Sequence, residues 1–475
     1  MSYEEAFTAF KNGDFQTAVP LLKKAADETA FASEIVNHTY TLALYRIGDN
    51  SRLADVAFRI GNSLVQQDPA SAMDYFQRAV TAGLDAKHVR EIGELFEKWA
   101  QPRSPTQPRM AGAGLTRVAH VVGCLLPSHA PARYLQVLVS SLKKQGIEST
   151  IFTTEWAASW FWNPVGIAQS HVIEIDAEVK IASVEGDFLE RASRIAEALR
   201  LSGIEVAFFH ASLAEQITAR VASMRPVALQ VGVNHGSDID ADLFDARIHL
   251  FQNAIKRTRF SDRTQWIPPV SDIEKRLQTS QAVTRKDMGL DSAGSISATF
   301  SNLDQLRGSS YLTALSEIMN RFRNHFHVFV GGGSVKAVRS HLHSEGVLPR
   351  IRFLGEVGDV APLLNMVDVY LASFPQSAGD SILDAMGAGK PVVVLRFPPD
   401  SPYNSASELV GVRELMASGE GEYVMIADRL LRNAEFRAKQ AQAMLHRFRT
   451  EFHPDRLGER YKNFLDEICR HAEGV

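Results

Sequence analysis

FPQSAGDSILDAMGAGKPVVV (374–394) comes directly after a short apolar run, Val367–Ala372 (VDVYLA). The run has the composition of a buried strand, and the polar turn Ser377–Ser381 (SAGDS) leads from it into a helix over Ile382–Met386. Gly389 ends that helix, Pro391 stops it continuing, and three valines resume a strand. The first turn of a helix holds backbone N–H groups with no intrahelical partner and a partial positive charge, so it suits a phosphate. Asp384 lies one turn in, on the face a ribose would touch. The same pattern also fits an ordinary strand–turn–helix of any doubly wound domain.

The rest of the chain bounds that reading. Its 475 residues are enough for two or three domains, and 45% hydrophobic and 22% charged residues are ordinary for a soluble globular protein. A formal net charge of −4, with scattered basic residues, gives no field toward nucleic acid or an anionic membrane. Two distant cysteines, Cys124 and Cys469, argue for a reducing compartment and against a cysteine-built metal site. The opening MSYEEAFTAFKNGDF carries charges where a signal peptide needs an apolar run, and no run reaches the roughly 20 residues of a membrane span. The expectation is a cytoplasmic protein with no integral membrane segment.

Residues 1–100 read as helices only. Gly13-Asp14 and Gly48-Asp49 lie 35 residues apart, close to the tetratricopeptide period of about 34, whereas a third unit around DPASAMDYFQRAV (68–80) falls out of period. Such a stack offers a concave surface to a peptide; a plain helical bundle packed on the next domain reads equally well. Residues 101–115 form a Pro/Gly/Ser/Ala linker. Beyond it, apolar strands alternate with amphipathic helices in two sets, over 116–275 and 276–475, which predicts two Rossmann-like units with parallel sheets. Ligands bind such sheets at the strand carboxyl ends.

Other stretches carry candidate chemistry. Gly331-Gly332-Gly333-Ser334 reads chiefly as a tight strand-to-helix turn. His235 follows a strand in the first set and is a candidate general base or donor contact, with Asp238 and Asp240 as alternatives in the same loop; a structural loop histidine is the other reading. SHAPARYL (128–135) follows the first strand and supplies His129 and Arg133 to an acceptor-side loop, or to a plain helix start. WAASWFW (156–162) concentrates three tryptophans, for stacking on a sugar or, more in keeping with tryptophan, for packing.

Taken in order, these stretches resemble a family. PRIRFLGEVGDVAPLLNMVDVYLAS (349–373) is similar to the "FLG-x-V-x-D … LL-x-x-ADV" segment of GT-B glycosyltransferases. RPVALQVGVNHGSDIDADLFDARIHL (225–250) resembles the "P-I-Q … G-x-P-x-T … D-Y-I-I" segment of the O-GlcNAc transferase family, whose bacterial relatives that N-glycosylate adhesins carry a histidine in that loop, where this chain has His235. GVRELMASGEGEY (411–423) matches a "PELIA-x-S-x-E-E-Y" signature, and ATFSNLDQLRGSSYLTALSEIMNRF (298–322) follows the "F-N-x-x-x-K" donor segment. The resemblance covers about residues 116–470, and a helical-repeat domain ahead of the catalytic pair also fits it.

The resemblance implies an α/β GT-B architecture, two Rossmann-like domains preceded by an all-α tetratricopeptide-like domain. It implies metal-independent, inverting transfer of GlcNAc or a hexose from a UDP-sugar clamped between the two units, with no cofactor, onto a polypeptide such as an adhesin or flagellin presented by the helical domain. Asp384 then matches the acid that grips the ribose, and Gly379, Asp380 and Ser381 match the phosphate contacts. Two departures stand out. The donor-phosphate lysine falls on Gln305, and Arg307 replaces its charge if the segment is extended, since i and i+2 then share a side. Asp380 brings a carboxylate near the pyrophosphate, acceptable if it caps the helix or turns outward. The E-x7-E pair of the wider group falls on Gln376 and Asp384, which disfavours a retaining mechanism. The alternatives are a lipid-linked or saccharide acceptor, and a degenerate binding scaffold.

Overall fold

The computed structural model describes residues 3–100, 115–126, 130–154, 173–181, 188–210, 216–235, 241–256, 258–290, 294–306, 308–399, 401 and 403–473. The chain divides into two compact units. The first takes Met1–Leu250, Ala254–Ile267 and Arg456–Val475; the second takes Phe251–Asn253 and Pro268–Asp455. The expected division at 275/276 lies inside the helix Ile273–Thr279, whose Ile273 is fully buried in the second unit's core. The last helix, Leu457–Glu473, was expected in the second domain, and it groups with the first unit instead. Its buried Leu457, Tyr461, Phe464 and Leu465 repeat at helical spacing.

The first unit opens with three helix pairs: Tyr3–Lys11 with Phe15–Glu28, Glu34–Ile47 with Asn50–Leu64, and Pro69–Thr81 with Ala86–Ala100. Gly13, Gly48 and Gly83 turn each pair with φ of +75°, +77° and +96°, a conformation that glycine adopts without strain. Asp14 and Asp49 cap the following helices by accepting from the Thr17 and Arg52 amides. The third pair keeps the 35-residue glycine spacing after all. It inserts Leu84 before its acid, so Asp85 rather than residue 84 accepts from the Lys87 and His88 amides. The third unit is therefore in period, and the shifted acid hid it.

Beyond these helices the first unit is a seven-stranded sheet: β1 (Arg117–Val122), β2 (Glu148–Thr153), β3 (Glu178–Ile181), β4 (Val206–Phe209), β5 (Leu229–Asn234), β6 (Ala246–His249) and β7 (Thr264–Trp266), in the order β3-β2-β1-β4-β5-β6-β7. Ala72, Phe76 and Ile92 of the third helix pair share one core with Ala119, Ile195, Ile217 and Phe244. The helical region is therefore fused to the sheet through a common core.

The second unit holds β8 (Ser295–Phe300), β9 (His325–Val330), β10 (Ile351–Phe353), β11 (Val369–Leu371), β12 (Val392–Leu395) and β13 (Met416–Ala417), in the order β10-β9-β8-β11-β12-β13. Every strand pairing in both sheets is parallel. Parallel strands covered on both faces must be apolar throughout, which is why β4 (VAFF) and β12 (VVVL) are uninterrupted. Among the described residues no helix is long and apolar enough to cross a membrane.

Candidate active site

Each sheet starts at an inner strand, builds to one edge, then restarts beside that strand. The strand order reverses between β8 and β11 in the second unit and between β1 and β4 in the first. At such a reversal the two exit loops part, and a crevice opens at the strand carboxyl ends.

In the second unit the loop after β8 turns at once into a 3-10 helix, Leu303–Leu306. It is locked to the Gly331–Ser334 turn after β9. The Leu303 amide donates to the Gly332 carbonyl at 2.8 Å and the Ser334 amide to Asp304 Oδ1 at 3.1 Å. A Cβ on Gly331 would run into the Ser301 carbonyl, and its φ of +140° suits glycine alone. The glycines thus serve close backbone approach. They bring half-buried Gln305 to the loop end. Gln305 lies in this 3-10 helix rather than in an extended segment; Arg307 itself lies outside the described residues.

Across the reversal, Ser373 follows β11 by two residues. Its hydroxyl is 3.5 Å from that of Ser301 and donates to the Gln376 carbonyl at 2.8 Å. The helix begins at Gly379, earlier than expected, and runs Gly379–Gly387. Ala378, not Asp380, is its N-cap residue, and the Ala378 side chain makes no cap hydrogen bond. Asp380 instead occupies the first turn, where the helix dipole favours a carboxylate. Gly379, Asp380 and Ser381 do form the helix start, and the Ser381 side chain also meets the Tyr370 phenol.

Asp384 is not a surface acid. It is 2% exposed, and its Oδ1 accepts from Ser271 Oγ and Arg276 Nη2, each at 2.5 Å. Its Oδ2 makes no hydrogen bond among the described residues. Arg276 also reaches Asp272 Oδ1 at 2.8 Å and Asp359 Oδ1 at 2.5 Å. Burial works against the Arg276 charge, but Asp384, Asp359 and Asp272 together hold its pKa above the usual range. The sequence reading missed Arg276 altogether.

In the first unit His235 follows β5 directly and is half-buried. Its Nε2 is 3.2 Å from His210 Nδ1, and His210 Nε2 is 3.1 Å from His120 Nδ1. The Tyr134 ring meets His235 edge-on at 5.2 Å. Arg133 is half-buried in the first turn of the helix Ala130–Lys144. His129, Asp238, Asp240 and the tryptophan segment 156–162 lie outside the described residues.

Comparison with known proteins adds three findings. Residues 300–432 match the profile of the family described as glycosyl transferases group 1. No curated protein matches the chain in sequence. Among solved structures, a Thermobaculum terrenum O-GlcNAc transferase variant aligns over 99% of this chain and 98% of its own, with TM-score 0.61 at 15% identity. Anabaena HepE in complex with UDP and glucose aligns over 74% of this chain and all of its own, with TM-score 0.57 at 18% identity. A glycosyltransferase from Rickettsia africae covers 75% of this chain and 99% of its own, with TM-score 0.58 at 13% identity. The chain therefore shares its fold with GT-B glycosyltransferases, an O-GlcNAc transferase among them, and carries a match to the glycosyl transferases group 1 profile over residues 300–432.

Proposed function

We propose that this protein is an inverting glycosyltransferase that moves GlcNAc or a hexose from a UDP-sugar to a polypeptide. The observation that carries the reading is the reversal between β8 and β11, where a nine-residue helix starts at Gly379 beside the loop that carries Gln305. UDP leaves with negative charge, and the Gly379–Ser381 amides are oriented donors that take it up without reorganisation. Asp384 holds the ribose through Oδ2, since Oδ1 is taken by Ser271 and Arg276. The acceptor attacks the anomeric carbon from the face opposite UDP. The carbon–oxygen bond to UDP breaks, and the acceptor's proton passes to His235. The solved Anabaena HepE structures in complex with UDP, with UDP-glucose, or with UDP and glucose support the choice of donor.

The test is to incubate the full chain with UDP-GlcNAc and UDP-hexoses, alone and with polypeptide, oligosaccharide or lipid-linked acceptors. A donor that binds raises the melting temperature by mass action. Transfer to polypeptide with an inverted anomer, unaffected by EDTA, is the expected result. No protection by any UDP-sugar would sink the assignment, and transfer to a saccharide or lipid alone would reassign the acceptor. A second reading, a binding scaffold without turnover, is favoured by Gln305 in the lysine position. It predicts protection by UDP with neither transfer nor hydrolysis.

A further inference from the structure

Three histidines stand in line at the reversal point of the first sheet. The parallel register pairs His120 with Phe208 and Phe208 with Val231. Side chains alternate along a strand, so His120, Phe208, His210 and His235 all project to one face of the sheet. Ser149 lies on that face as well, two residues before the Ile151 that pairs with His120. The row runs Ser149 Oγ to His120 Nε2 at 3.2 Å, His120 Nδ1 to His210 Nε2 at 3.1 Å, and His210 Nδ1 to His235 Nε2 at 3.2 Å. Its walls are aromatic. Phe208 stacks on His120, and Tyr134, whose hydroxyl donates to that of Tyr461 at 3.1 Å, lies edge-on to His235. His120 and His210 are 0% and 2% exposed.

A hydrogen bond between two ring nitrogens needs one N–H and one lone pair, and a neutral imidazole has one of each. A row of three neutral rings therefore has only two arrangements. In one, every N–H points toward His235 and its Nε2 is an acceptor. In the other, His235 Nε2 donates to His210, His210 donates to His120, and His120 Nε2 donates to the Ser149 oxygen. Only the second leaves a lone pair on His235 Nδ1, the nitrogen not spent on the row. It is also the only one compatible with His235 as an imidazolium, whose two nitrogens both donate. Burial holds His120 neutral, pushing its pKa down to about 3, and burial, then the neighbouring rings, lower that of His210 well below the ordinary value.

We propose that His210 and His120 are positioning residues for His235: the row ending on Ser149 fixes which ring nitrogen of His235 bears its proton, and so prepares Nδ1 to take the acceptor's proton. This rests on the reading of His235 as the acceptor-side base. It extends the general rule that the partner of one ring nitrogen sets the state of the other.

The test is nitrogen NMR of histidine-labelled full-length protein, with steady-state kinetics on the same samples. His235 in the unsubstituted protein should show a single tautomer with the proton on Nε2. His210→Phe should leave His235 a mixture of tautomers and lower kcat at least about tenfold with the donor KM unchanged; a wrong histidine tautomer costs a triad enzyme about 10⁴ in kcat. His210→Asn, whose amide oxygen stands near the place of Nδ1, should restore both. If His210→Phe does not fold, Ser149→Ala at the half-buried end of the row should still mix the His235 tautomers. A single, unchanged His235 tautomer in folded His210→Phe or Ser149→Ala overturns the proposal. The spectrum needs no turnover, so a protein inactive toward every UDP-sugar would defeat the assigned function while the tautomer still decides this inference.

Discussion

Arg276 is joined to three carboxylates, and one of them, Asp384, is nearly sealed from solvent. Removing the guanidinium strands a buried charge, which costs about 3 kcal/mol or more when one partner of a buried pair is deleted. Arg276→Ala should therefore lower the melting temperature and weaken UDP protection together. Arg276→Lys should recover only part of either, because an ammonium cannot bridge several carboxylates with a planar fork. Thermal melts with and without UDP check this; full protection in Arg276→Ala would contradict it. The partnership was not legible in the sequence. VSDIEKRLQ reads as an exposed amphipathic helix, and Asp384 lies 108 residues away. The same holds for the histidine row, whose members lie 90 and 25 residues apart and meet only through strand register. His235 was legible because it stands in a polar loop directly after an apolar run. His120 and His210 were hidden in or beside apolar strands, where a histidine looks like a packing residue.

Elements were easier to read than residues wherever one period dominated. The long apolar strands and the helices between them emerge within a few residues of their expected positions. What escaped were β3, β7 and β13, of four, three and two residues. Each closes a run of strands, and EVKI and TQW carry the polar side chains that a strand with one open side tolerates. Turn chemistry was legible at Asp14 and Asp49. Asp49→Ala should cost about 1 kcal/mol through the lost N-cap, measured by urea unfolding; an unchanged midpoint would show the capping bond contributes nothing. Close approach was not legible. Gly458 lets the last helix lie against the Ala130–Lys144 helix, since a Cβ there would strike the Ser141 carbonyl. Gly458→Val should lower the melting temperature by forcing the two helices apart, and a melt equal to the parent would refute that contact.

At the scale of the whole molecule, buried histidines make the protein acid-sensitive. His120 and His325 have pKa values lowered to about 3, first by burial, and those of His210 and His327 are lowered well below the ordinary value by burial and then by neighbouring rings. Unfolding releases each to its ordinary value of 6.5, so the unfolded chain binds more protons below that pH. Their stabilising effect is complete above 6.5 and is lost as the pH falls toward about 3, at about 1 kcal/mol per unit for each ring. Urea midpoints should drop steeply between about pH 7 and about pH 5, and a flat profile would contradict the burial of these rings. The division into two parallel-sheet units was legible because strand and helix periods alternate. The allotment of Arg456–Val475 to the first unit was not, because an amphipathic helix does not announce which core it covers. That allotment bears on biosynthesis. Tyr461 and its neighbours leave the ribosome only after residues 268–455 have been made, so the amino-terminal unit must wait, with part of its surface uncovered, for nearly two hundred residues of another unit to emerge. A nascent chain arrested before residue 456 should be digested by protease within that first-made unit, and completing translation should protect it.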